Sequence, residues 1–176
     1  MINYKEKLNH ITTFVFDVDG VMTDGSLILI DNQMIRSMNT KDGFILQFAI
    51  KKGYKIAVIT GGKEQSVVNR LKYLGITDVY LESQNKWEDL EDFLYKYNIK
   101  PQEVLYMGDD LPDYDVMSKV GIGAAPKDAC PEILSIADYI SPIEGGKGCV
   151  RDVIEQVMKV RGDWDYLESA HQIAST

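Results

Sequence analysis

Cysteine and histidine are nearly missing from this chain: two of each among 176 residues. Cys130 and Cys149 are too isolated for a disulfide framework or a zinc site. His10 and His171 stand apart from every acidic cluster, so imidazole chemistry has no local support. No run approaches the roughly 20 apolar residues that cross a bilayer. The first residues, Met1-Ile2-Asn3-Tyr4-Lys5-Glu6-Lys7-Leu8, also lack the apolar core of a signal peptide. Basic charge is in deficit, 19 Lys and Arg against 27 Asp and Glu for a formal net charge of -8, which argues against nucleic-acid or anionic-membrane partners. An anionic small molecule stays possible, because a bound cation and a few local lysines can invert the field inside a pocket. No repeat, low-complexity tract or linker breaks the chain. The expectation is one cytoplasmic domain over residues 1–176, with 161–176 as a C-terminal tail.

What is present is an alternation of strand-like and helix-like segments, with 45% hydrophobic residues to fill a core. Strands are expected at 11–16, 55–60, 79–81, 104–107, 122–125 and 139–140. Helices are expected from Lys41 to about residue 52, at 63–74, at 87–97, up to residues 118–120, and at 150–160. Residues 27–30 and 34–38, around Asp31-Asn32-Gln33, read as a β-hairpin. Mostly apolar strands joined through helices predict an α/β fold, a doubly wound and mostly parallel Rossmann-like sheet covered on both faces. The hairpin would be a small flap. Neither the interval from Asp17 to Thr60 nor that from Lys86 to Asp109 has room for a cap domain.

The densest signal is Asp17-Val18-Asp19-Gly20, where a buried strand ends on two carboxylates. Unpaired charges are costly to bury, and the carboxyl edge of such strands is where open α/β sheets hold ligands. Three further constellations fall at the same edge. Thr60-Gly61 offers a hydroxyl and a backbone amide near a helix start. Lys86 ends Ser83-Gln84-Asn85-Lys86, ahead of the next helix. Gly108-Asp109-Asp110-Leu111-Pro112-Asp113 follows another strand. Each has an ordinary alternative: a polar turn, a β-to-α turn, a solvated lysine, or an aspartate N-cap. The set is less ordinary. A nucleophilic carboxylate, oxygen ligands for a hard cation, and cationic and amide clamps are what phosphoryl transfer needs.

In their order, Asp17-Val18-Asp19, Thr60, Lys86 and Gly108-Asp109-Asp110 resemble the four motifs of the haloacid dehalogenase superfamily of aspartate-nucleophile phosphatases, over about residues 11–160. Lys41-Asp42-Gly43, Ser83-Gln84-Asn85-Lys86, Asp113 and Gly145-Gly146-Lys147-Gly148 extend the resemblance to the 3-deoxy-D-manno-octulosonate 8-phosphate phosphatases of lipopolysaccharide precursor synthesis. The resemblance implies that Asp17 attacks phosphorus, while Asp19 protonates the leaving alkoxide and then activates water. Thr60 and Lys86 would hold the phosphoryl group. Asp109 would bind Mg2+ with Asp17 and the Asp19 carbonyl, with Asp110 and Asp113 supporting that shell. Substrate contacts would come from Asp19, Asn39, Thr40, Lys41, Asp42, Gly43, Gly61, Lys63, Arg70 and Lys86. Two positions depart from the pattern: Gly62 and Gln47 stand where arginines are usual. The nine-carbon sugar-acid phosphatases (2-keto-3-deoxynononate 9-phosphate) are therefore an alternative substrate class.

The resemblance also implies a homotetramer. The apolar hairpin residues Leu27, Ile28, Leu29, Ile30, Met34 and Ile35 suit packing between subunits, the alternative being that the hairpin folds onto its own domain. Trp164 and Tyr166 would anchor the tail over a neighbour's site, against simple fraying of a polar end. Two other function classes compete. A receiver domain would lack the Asp-x-Asp spacing and the late Gly-Asp-Asp. A catalytically silent oligomerisation module would have had no reason to keep Asp17, Asp19, Lys86 and Asp109 together.

Overall fold

The computed structural model describes residues 4–31 and 33–165. In chain order the elements are α1 (Tyr4–Leu8), β1 (Thr13–Phe16), the hairpin strands β2 (Ile28–Ile30) and β3 (Gln33–Ile35), α2 (Thr40–Lys51), β4 (Lys55–Ile59), α3 (Gln65–Tyr73), β5 (Asp78–Tyr80), α4 (Lys86–Tyr97), β6 (Val104–Met107), α5 (Tyr114–Met117), β7 (Ile122–Ala125), α6 (Pro131–Ile136), β8 (Tyr139–Ile140) and α7 (Cys149–Arg161). Six strands form one sheet in the order β5-β4-β1-β6-β7-β8, and every pairing in it is parallel. The chain first winds outward from β1 through β4 to β5, then returns to β6 and winds the other way. The reversal falls between β1 and β6, the place where doubly wound sheets open a crevice at their carboxyl ends.

Side-chain alternation along the strands divides the core into two layers. Phe14, Phe16, Ile56, Val58, Leu105 and Met107 pack beneath α2, α3 and α7, against residues such as Leu46, Leu71 and Ile154. Val15, Ala57, Ile59, Val104 and Tyr106 face the opposite way, onto Leu90 and Phe93 of α4 and Val116 of α5. The period of two along each strand makes both faces apolar, so these strands read as continuous hydrophobic runs. The fold expectation holds, and the sheet itself is wholly parallel. β1 is shorter than expected because residues 11 and 12 precede the ladder. α1 and α6 have too few residues for a clear helical period and went unread.

The hairpin stands away from this body. β2 pairs only with β3, antiparallel, and Ile28 and Leu29 are 59% and 72% exposed. The hairpin therefore does not fold back onto its own domain. At the other end, Gly162 closes α7 at φ +76° and the chain turns back onto α2. Trp164 meets the edge of Phe48 at 5.8 Å, and Tyr54 donates to Asp163 at 2.5 Å. Trp164 thus packs on α2 of its own chain. Tyr166 and the residues after it lie outside the described residues.

Candidate active site

β1 delivers Asp17 to the crevice. Its N–H donates to the Met107 carbonyl at 3.1 Å, which ties the first residue beyond β1 to the end of β6. Asp17 is only 8% exposed. One oxygen accepts from the Val18 N–H at 2.6 Å, and the other lies 2.8 Å from Lys86 Nζ. Lys86 opens α4, whose N-terminus is capped by Asn85 accepting from the Trp87 and Glu88 N–H groups. The same ammonium donates to Asp113 Oδ1 at 2.7 Å, and the buried Tyr106 hydroxyl donates to that oxygen at 2.6 Å. Asp113 Oδ2 accepts from the Asp109 and Asp110 N–H groups at 3.1 and 3.4 Å. Fully buried Asp113 thereby fixes both Lys86 and the loop that carries Asp109.

Two glycines are required by this packing. A Cβ on Gly108 would lie 2.3 Å from Asp113 Cγ. Gly20 adopts φ +80°, and a Cβ there would lie 1.9 Å from Asp109 Oδ2. The Asp-x-Asp-Gly and Gly-Asp-Asp signatures are thus one interlocked unit.

Carboxylate oxygens of Asp17, Asp109 and Asp113 converge within 4.8 Å of one another. Burial first, then the Asp113 charge, pushes Asp17 up to about 6 in spite of Lys86. Burial, followed by Asp17, Asp113 and Asp110, pushes Asp109 up to about 7. For Lys86, burial works against the charge, but Asp17 and Asp113 outweigh it and its pKa is raised. Three carboxylates against one ammonium leave excess negative charge in a site of oxygen donors. A hard divalent cation fits that donor set.

Thr60 follows β4 across the cleft. Its Oγ1 accepts from the Gly62 N–H at 3.1 Å, which leaves the hydroxyl hydrogen to donate outward. Asp17, Asp19, Thr60, Gly61, Lys86 and Asp109 line one cleft of about 380 Å³. Asp110 lines it too, while its side chain caps the loop by accepting from the Leu111 N–H at 2.8 Å.

Asp19 is held by a residue that the sequence reading missed. Arg36, just beyond β3, donates to Asp19 through Nε at 2.6 Å and Nη2 at 3.0 Å. Its Nη1 lies 3.0 Å from Glu64 Oε2. The available signal was that Arg36 is the only charged residue between Asp31 and Lys41.

The expected substrate contacts divide. Thr40, Lys63 and Arg70 line a larger groove of about 860 Å³ between the hairpin base and α3. Asn39 caps α2 by accepting from the Lys41 N–H at 2.9 Å, and Lys41 is exposed at that helix start. Asp42 and Gly43 need correction, because neither faces the cleft. Asp42 is 3% exposed and accepts from the Arg151 N–H at 2.8 Å, which caps the first turn of α7 from outside that helix. Burial pushes its carboxyl up to about 6 against that hydrogen bond. Gly43 makes room for the Arg70 guanidinium, 2.7 Å from where a Cβ would be.

Fold and site together define a phosphatase, and the comparisons with known proteins agree. Residues 72–151 match the haloacid dehalogenase-like hydrolase family. The 3-deoxy-D-manno-octulosonate 8-phosphate phosphatase of Escherichia coli K12 is 38% identical over 160 residues, 90% of this chain and 85% of the relative. The Moraxella catarrhalis enzyme of that name, solved in complex with magnesium, phosphate and KDO, superimposes with a TM-score of 0.92 at 31% identity, over 97% of this chain and 99% of the other. The Yersinia pestis enzyme gives 0.89 at 31% identity, over 92% and 88%. The chain belongs to the haloacid dehalogenase-like hydrolases and, among them, to the 3-deoxy-D-manno-octulosonate 8-phosphate phosphatase family. It is a phosphoric monoester hydrolase.

Proposed function

We propose that this enzyme hydrolyses 3-deoxy-D-manno-octulosonate 8-phosphate to the free sugar acid and inorganic phosphate, as a step of lipopolysaccharide precursor synthesis. The observation that carries the chemistry is the convergence of Asp17, Asp109 and Asp113 around Lys86 at the switch point of the sheet. The substrate is carried over from the relatives. Asp17 and Asp109 side chains and the Asp19 carbonyl would hold Mg2+, which supplies charge neutralisation for the phosphoryl group and the attacking carboxylate. A carboxylate oxygen of Asp17 bonds to phosphorus as the bond from phosphorus to the sugar oxygen breaks. Asp19 gives its proton to the departing alkoxide. It then takes a proton from the water that hydrolyses the aspartyl-phosphate, which returns Asp17 and releases phosphate. The Thr60 hydroxyl, the Gly61 N–H and Lys86 grip the phosphoryl oxygens, with Lys86 donors already fixed by Asp113.

The exposed apolar hairpin supports assembly into a homotetramer, with β2 and β3 between subunits. No helix among the described residues is long and apolar enough to cross a membrane. A second reading, the nine-carbon 2-keto-3-deoxynononate 9-phosphate as substrate, draws on Gly62 and Gln47 standing where arginines are usual. Comparing kcat/KM across eight- and nine-carbon sugar-acid phosphates, with EDTA and added Mg2+, tests both. The eight-carbon ester should lead by at least an order of magnitude. A lead for the nine-carbon ester would transfer the assignment, and full activity in metal-free protein would overturn the mechanism.

A further inference from the structure

Both oxygens of Asp19 accept from the Arg36 fork, and Oδ1 also accepts from the Thr23 hydroxyl at 3.4 Å. The guanidinium that holds them is itself incompletely satisfied. The Arg36 side chain is 7% exposed, and its Nη1 lies 3.0 Å from Glu64 Oε2 with no acceptor aligned to its N–H bonds. The space beside it is kept open by Gly62. A Cβ there would sit 3.0 Å from Glu64 Oε2, so the Glu64 end would have to give by a few tenths of an ångström, and at ordinary contact distance, 3.5 Å, from Arg36 Nη2. Arg36 also occupies a boundary. It lines the larger groove together with Lys63 and Arg70, while its fork reaches Asp19 on the wall of the smaller cleft.

We propose that Arg36 is the carboxylate-recognising residue of this enzyme, parked on Asp19 until the carboxylate of a sugar acid takes its guanidinium over. The inference rests on the sugar-acid reading above and adds to it the residue that reads the acid. A planar guanidinium binds a carboxylate through two parallel hydrogen bonds, and the resting structure shows Arg36 doing so with Asp19. A substrate with its phosphoryl group among Asp17, Thr60 and Lys86 and its carboxylate toward the larger groove brings an equivalent partner to the same fork. The exchange frees the Asp19 oxygens for the leaving group. Recognition of the acid and release of Asp19 are then one event, and a phosphate ester without a carboxylate leaves Asp19 engaged.

The test compares kcat/KM for 3-deoxy-D-manno-octulosonate 8-phosphate and for D-arabinose 5-phosphate, a sugar phosphate that has no carboxylate. The wild type should favour the sugar acid. R36A should lower that preference by roughly 30-fold, the scale of a lost charged hydrogen-bond pair. R36K, which keeps charge without the fork, should fall between, and it is the variant to read if R36A does not fold. Inhibition by the free sugar acid should weaken in parallel, and inhibition by inorganic phosphate should change less. Equal losses on both substrates, or a wild-type preference retained in R36K, would overturn the role of Arg36 and leave the substrate reading standing. A wild type with no preference for the sugar acid would overturn the substrate reading and this inference with it.

Discussion

Stripped of its cation, the protein should gain stability as the solution turns mildly acidic. Asp17 and Asp109 are pushed up to about 6 and about 7 in the folded chain, while an unfolded aspartate titrates near 3.9. As pH falls through 7 and then 6, the native state takes up protons that the unfolded state does not yet bind. Stability therefore rises toward acid and is lost as pH climbs back through those values. At about 1.4 kcal/mol per unit, the ionised pair costs several kcal/mol at neutral pH, and protonation between about pH 7.5 and 5.5 would relieve about 3 kcal/mol if the two sites titrated independently. They repel each other and Asp109 is only partly buried, so about 2 kcal/mol is the working figure. For a chain of this size that raises Tm by roughly 4–8 °C.

Differential scanning calorimetry of EDTA-treated protein across that interval reads the effect directly. Saturating Mg2+ should reverse it, with the largest stabilisation near pH 7.5 and a smaller one near pH 5.5, because protons compete for the same oxygens. The control is Asp109→Asn, which should flatten the metal-free slope and blunt the response to Mg2+. Asp42, also pushed up to about 6, contributes equally to both proteins and cancels in the comparison. A metal-free Tm that is flat or falls toward acid, with Asp109→Asn behaving as wild type, would refute the account of the acid cluster.

Three further outcomes follow from the same geometry. Asp17→Asn should lower kcat by a factor on the order of 10⁴ or more without loss of Tm, since an amide cannot form the acyl-phosphate, and near-normal turnover would end the nucleophile assignment. Gly20→Ala places a Cβ 1.9 Å from Asp109 Oδ2 at φ +80°, so it should destabilise by about 1–2 kcal/mol from backbone strain and weaken Mg2+ binding in calorimetric titration; unchanged affinity would show that the Asp109 position is not needed. Leu29→Glu, at the most exposed apolar position of the hairpin, should reduce the mass measured by light scattering, and an unchanged assembly would place the interface elsewhere.

The parts of this molecule that a sequence declares are those decided within a few residues. Asp17 and Asp109 are legible because a buried parallel strand is a continuous apolar run, and a carboxylate directly beyond it marks the crevice edge. Lys86 is legible through Asn85, whose cap announces the start of α4. Asp113 accepts from the Asp109 N–H, and its contact with Lys86 is not legible in sequence because it joins residues 27 positions apart.

The misses share the opposite property. Asp42 opens an amphipathic helix and looks like a ligand-facing residue, yet its partner is the Arg151 N–H, 109 positions away on a helix whose placement only the folded sheet determines. Arg36 is the sharper case. In sequence it is a lone cation beside an apolar ribbon, which reads as a solubilising charge on an exposed edge. What brings it to the crevice is that the hairpin follows the turn after Asp17 and Asp19 and returns to α2. A residue at the base of the returning strand must therefore pass close to Asp19, whatever the hairpin tip touches. The same covalent path that leaves Ile28 and Leu29 exposed thus carries Arg36 to Asp19.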